Sequence, residues 1–178
     1  MNKNKFYFFI ILLVSLVCFS FTMPDKIKKK VKKEISKVFE VKDFQLKLIK
    51  IEDSINNKLI KKIGADHLFK IEKNNEIIGY AYVDKAPSKT DEFDYLVLLD
   101  KDLIVAKTKV LVYREDYGGE IGSTRWLKQF IGKKATDNLK YREDIIAISG
   151  ATISASSMTI AMNQFLQNLE ILHNNNVL

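Results

Sequence analysis

Ile148-Ser149-Gly150-Ala151-Thr152-Ile153-Ser154 opens the most regular stretch of this 178-residue chain. Behind it Met158, Ala161, Met162, Phe165, Leu166, Leu169 and Leu172 recur at three- and four-residue steps, which predicts a helix over about residues 153–172. The first turn of such a helix carries unpaired backbone N–H groups and the positive end of the dipole, so it favours a phosphate. Gly150 has no side chain to keep a ligand from the backbone, and Thr152 and Ser154 set hydroxyls beside it. Ser-Gly ahead of a helix is also the pattern of an ordinary turn and N-cap. Both readings stand on local pattern: an anion seat, or a capped helix start.

The chain ahead of this stretch reads mainly as strands. Residues 44–51 partly alternate, and residues 53–63 suggest a short helix ending near Gly64. Residues 68–73 and 76–83 flank Asn74-Asn75, a hairpin signal; residues 86–90 make a loop; residues 93–99 and 103–113 form another strand pair around Asp100-Lys101-Asp102. Pro24-Asp25 opens a basic helix reaching about residue 40, apolar at Ile27, Val31, Ile35, Val38 and Phe39. Strands arriving as hairpins with flanking helices give an α+β fold, a mostly antiparallel sheet in a single domain over residues 24–178.

Residues 6–23 carry no charge and follow Lys3 and Lys5, so residues 1–23 read as a signal peptide or a membrane anchor. Cys18-Phe19-Ser20 offers a cleavage site after Ser20; a lipoprotein cysteine is disfavoured by the bulk of Val17. Cys18 is the sole cysteine, so the body of the chain has no disulfide framework or thiolate metal site. His67 and His173 lack ligand spacing. Ser149, Ser154, Ser156 and Ser157 sit in no Gly-x-Ser-x-Gly elbow, which argues against a serine hydrolase. Hydrophobic residues make up 47% and charged ones 29%, a globular composition. The net charge of +7 is local, since Lys26, Lys28, Lys29, Lys30, Lys32 and Lys33 supply six positive charges. That distribution speaks against a nucleic-acid-binding face.

Gly118, Gly119 and Gly122 are three of the seven glycines and follow the longest strand, so this loop reads as a close approach to a planar ligand or as a plain turn. Trp126 and Phe130 stand four apart on the helix expected next, as core aromatics or, for Trp126, a ligand contact. Glu115 and Glu120 are surface carboxylates or hydrogen-bonding groups for a ligand.

Asp144-Ile145-Ile146-Ala147-Ile148-Ser149-Gly150-Ala151-Thr152 resembles the flavinylation motif of the FMN-binding domain family. That family includes components of the sodium-pumping NADH:quinone oxidoreductase and of the Rnf electron-transport complex. Glu115-Asp116-Tyr117-Gly118-Gly119-Glu120-Ile121-Gly122, followed by Trp126-Leu127-Lys128-Gln129-Phe130-Ile131-Gly132-Lys133, is similar to its glycine-rich loop and the segment behind it. Asp116-Tyr117 stands where the family loop commonly has Thr-Pro. The resemblance covers roughly residues 79–172 and implies FMN joined through its phosphate to Thr152. It implies a surround of Ser149, Gly150, Ala151, Ile153 and Ser154, with Glu115, Gly118, Gly119, Glu120, Ile121, Gly122 and Trp126 toward the ring. The implied protein is an extracytoplasmic electron carrier, membrane-tethered or periplasmic, and not a stand-alone catalyst. It would be matured by a flavin transferase and would serve membrane-bound or exported redox partners. The alternatives are a non-covalent flavin- or anion-binding module and a membrane-tethered adaptor without redox activity.

Overall fold

Tyr95-Leu96-Val97-Leu98-Leu99 is apolar at every position, so a strand built from it must be covered on both faces. The computed structural model, which describes residues 23–178, meets that demand with a helix on each side of one sheet. The sheet contains β1 (Gln45–Leu48), β2 (Leu68–Lys73), β3 (Glu76–Pro87), β4 (Glu92–Leu99) and β5 (Val105–Val112), in sequential order with every pair antiparallel. The helices are α1 (Asp25–Val38), α2 (Asp53–Asn56), α3 (Thr124–Leu127) and α4 (Thr152–Asn174). The fold is α+β, as the hairpin pattern implied. The run read as a signal or anchor, with its Cys18-Phe19-Ser20 site, lies outside the described residues but for Met23. Among the described residues no helix is long and apolar enough to cross a membrane.

Alternation along β4 sorts its side chains between two cores. Phe93, Tyr95, Val97 and Leu99 meet Met158, Met162, Phe165 and Leu166 of α4, whereas Leu96 and Leu98 meet Ile27, Val31 and Ile35 of α1. Tyr82 of β3 stacks on Phe165 with ring centroids 4.0 Å apart and planes 3° from parallel. These contacts fix the rotation of both helices: Lys26, Lys29, Lys33 and Lys37 of α1 look outward, and the start of α4 stands beyond the end of β5.

The Asn74-Asn75 hairpin forms without glycine because both residues take left-handed angles, φ 52° and 66°. That pair of angles is what a two-residue turn matched to strand twist requires, and asparagine tolerates it. Other elements end elsewhere than expected. Only Asp53–Asn56 of residues 53–63 is helical. Asn56 instead clamps Ile63, donating to its carbonyl at 3.0 Å and accepting its N–H at 2.9 Å. Asn168 of α4 does the same for Ile60 N–H and Lys61 O, at 2.8 and 2.7 Å. With those backbone groups satisfied from outside, the segment bends and buries Leu59 and Ile63. β3 runs on through Pro87, which pairs with Glu92 and shortens the expected loop. β1 keeps only Gln45–Leu48, and β5 begins at Val105, because Leu103 (φ 60°) belongs to a turn closed by Asp100.

Candidate functional site

Two blocks of sequence about thirty residues apart meet at the start of α4. Gly118 sits at φ +80°, and a Cβ there would lie 2.9 Å from Ala151 Cβ, 3.0 Å from the Tyr113 hydroxyl and 3.1 Å from Gly150 O. The loop between β5 and α3 therefore touches the turn ahead of α4 through a position only glycine fits. Gly150 also has positive φ, +79°, but a Cβ there would meet nothing within 4 Å. Its glycine serves the backbone turn and leaves open space on that side.

Thr152 is the first residue of α4 and is exposed. The N-cap is Ala151, and no side chain caps this 23-residue helix. The capped start allowed by the sequence does not form; the first-turn N–H groups are left to solvent or a ligand. Ile153 beside it is 51% exposed. Ser154 turns inward, with its hydroxyl 3.1 Å from that of Tyr113. Of the two hydroxyls expected near a ligand, Thr152 faces out and Ser154 locks the helix start onto β5's end. Tyr113 could not be picked out from the sequence, because its partner lies 41 residues away with no local pattern to mark it.

The turn ahead of α4 is pinned from the other side. Trp126 is buried, its ring edge-on to Phe130 at 5.3 Å, and its indole N–H donates to Ile146 O at 2.7 Å. Gln129 accepts Ile146 N–H at 2.8 Å and donates to Trp126 O at 2.9 Å. Trp126 and Phe130 sit on the single turn of α3 and the 3-10 turn Lys128–Phe130 after it, not on one longer helix. Between this support and the turn runs an open groove of about 540 Å³, lined by Glu120, Arg125, Trp126, Gln129, Ile148 and Ser149 among others. That size falls within the ~300–1,000 Å³ of small-molecule sites.

The remaining expected residues divide. Gly119 and Glu120 are exposed, Ile121 is fully buried, and Gly122 is half-buried beside Val110. Glu115 holds the connection between β3 and β4, accepting Thr90 N–H at 2.7 Å, the Thr90 hydroxyl at 3.0 Å and Asp91 N–H at 3.3 Å. The Ser88 hydroxyl beside it and the Thr90 donors hold its carboxyl down to about 2. Asp144 accepts Lys140 N–H at 2.9 Å, closing its own turn.

The Gly118 contact has a measurable consequence. Gly118→Ala should cost about 1–3 kcal/mol in thermal or urea unfolding, from the left-handed angle and the 2.9 Å contact together. Gly119→Ala, with nothing within 4 Å of its Cβ, should stay within about 0.5 kcal/mol.

A second polar centre lies beneath the middle of α4. The buried Asp84 carboxylate accepts Lys61 Nζ and the Tyr82 hydroxyl, both at 2.6 Å, and lies 3.3 Å from His67 Nδ1. Burial alone would raise its pKa, but hydrogen bonds from His67, Lys61 and Tyr82 outweigh that and hold it well below the carboxylate range. The hydrogen bond to Asp84 carries His67 above 6.5, against its own partial burial. A depressed Asp84 stabilises the fold above 3.8 and loses this as pH falls through its folded value. A raised His67 stabilises fully below 6.5 and loses this as pH rises through its folded value. His67→Gln should therefore lower unfolding stability more at pH 5 than at pH 9; an equal loss at both would show that His67 acts only by packing. Among the described residues no three His, Cys, Asp or Glu side chains converge as they would around a metal ion.

No curated protein matches the chain. Residues 89–167, which hold the 118–122 loop, Trp126 and the 149–154 turn together, match the family model described as FMN-binding domain, in agreement with the resemblance those residues carry.

Proposed function

We propose that this chain is an extracytoplasmic FMN carrier, with the flavin phosphate esterified to Thr152, that relays electrons between membrane-bound or exported partners. The observation that carries the reading is an exposed threonine hydroxyl at an uncapped helix start, held against the glycine loop by the Gly118 contact. The donors there suit a phosphate: first-turn N–H groups point at the anion, and the helix dipole favours it. Esterification would break the Thr152 O–H bond and the P–O–P bridge of FAD: Oγ1 would bond the flavin-side phosphorus, AMP would leave, and the hydroxyl proton would pass to AMP or solvent. Such an ester retains a cofactor that mass action would otherwise strip from an exported protein where free flavin is scarce.

The chain's own residues position and shield. Tyr113 and Ser154 hold the helix start, Trp126 and Gln129 hold the loop at Ile146, and the groove along Trp126, Gln129 and Ile146–Ser149 would give a planar ring one walled side. Bound flavin would supply one- and two-electron transfer, which no side chain here can. Export rests on the uncharged run at residues 6–23 behind Lys3 and Lys5.

The test is the intact mass of the full chain made in cells with and without a flavin transferase, read with flavin fluorescence on a denaturing gel. One added FMN group that stays with the band, only with the transferase, is the expected result. Flavin that leaves on denaturation would replace the reading with a non-covalent module. No flavin in either host would favour the adaptor.

A further inference from the structure

Helix α1 presents a charge pattern that the fold leaves unanswered. Ile27, Val31 and Ile35 lock it onto the sheet face formed by Ala81, Leu96 and Leu98, so its rotation is set. Opposite that stripe, Lys26, Lys29, Lys33 and Lys37 stand one turn apart in a single exposed row, flanked by Lys28 and Lys32. Lys30 turns back to donate to the Leu111 carbonyl. Among the described residues none of these lysines is in an ion pair. Four Lys–Lys pairs lie at the four-residue spacing (26/30, 28/32, 29/33 and 33/37), against two opposite-charge pairs (25/29 and 30/34). Like charges at that spacing destabilise a helix, so the arrangement is unfavourable until something anionic lies over it.

The opposite side of the sheet differs. Helix α4 carries Glu170 and His173 as its only titratable side chains in 23 residues. The basic excess thus sits on one broad face, the one whose helix begins directly after the uncharged run 6–23. We infer that the lysine row of α1 is a docking surface for an anionic lipid bilayer, lying parallel to the headgroups and setting the sheet between the membrane and Thr152. A rigid row of lysines fits a plane of phosphates, and a helix that starts where an apolar run ends is already at that plane. The docking rests on the lysine row, its geometry and the reading of residues 6–23 as an anchor, and not on flavin. What it does for flavin, turning the start of α4 away from the bilayer, rests on the function proposed above.

Lysine footprinting of the full chain, reconstituted in phosphatidylcholine vesicles with and without phosphatidylglycerol, tests this directly. An amine-acylating reagent and peptide mass spectrometry read each lysine. In anionic vesicles Lys26, Lys29, Lys33 and Lys37 should react about fivefold more slowly than in neutral ones. Lys101 and Lys134, which share a groove with Leu169 of α4, should be unchanged. Raising salt from about 0.01 M to about 1 M should erase the protection, as the screening length falls from about 30 Å to about 3 Å. Equal labelling of the row in both vesicle types would overturn the inference. So would protection of the row by an acidic protein or nucleic acid but not by anionic vesicles. None of these outcomes depends on flavin, so failure here leaves the carrier reading standing.

Discussion

Thr152→Ala is expected to abolish flavin retained after denaturation, from about one group per chain to none, while the protein still folds. The effect is all-or-none because one Oγ1 forms the proposed ester, and alanine has no oxygen to offer. Stability should change by less than about 0.5 kcal/mol, since the side chain is exposed and makes no hydrogen bond that caps the helix. Thr152→Ser keeps an oxygen at the same place and should be labelled. Intact mass and denaturing-gel fluorescence distinguish the two variants. Covalent flavin found on Thr152→Ala, for instance at the neighbouring Ser149, would move the attachment point and sink the assignment.

Trp126→Ala should be the most damaging single change near the site, costing about 3–5 kcal/mol of unfolding free energy. It removes a buried indole packed edge-on against Phe130 and the donor to Ile146 O. The two parts can be separated. Trp126→Phe keeps an aromatic ring but leaves the Ile146 carbonyl without its N–H, a loss of about 1 kcal/mol. Urea titration ranks them, and flavin loading should fall in the same order because the 146–151 turn loses its support. If Trp126→Ala unfolds at the wild-type urea midpoint, the indole is no prop for that turn.

Periodicity and turn chemistry made much of the fold legible. The helical steps from Met158 to Leu172, the stripe at Ile27, Val31 and Ile35, and the two asparagines at 74 and 75 each follow from contacts between residues close in sequence. Such signals sit within one or two turns of chain, where local rules hold. The 53–63 segment was misleading for the opposite reason. Its helical pattern is outbid by Asn56 and Asn168, and the second of these comes from more than a hundred residues away. Glu115 reads from sequence as a surface carboxylate or a hydrogen-bonding group for a ligand, and its tie to Thr90, 25 residues away, is beyond any local pattern.

Read alone, the sequence determined the α+β class, the long C-terminal helix, the absence of a cysteine framework in the body, and the threonine to test. Tertiary structure decided which hydroxyl is presented and which is spent: Thr152 outward, Ser154 on Tyr113. It also decided that Gly118 abuts Ala151, that Trp126 props Ile146, and that Lys26, Lys29, Lys33 and Lys37 of α1 face away from the sheet. Those outcomes depend on how two faces of one sheet are covered, a property of surfaces brought together over long separations that no window of local sequence contains.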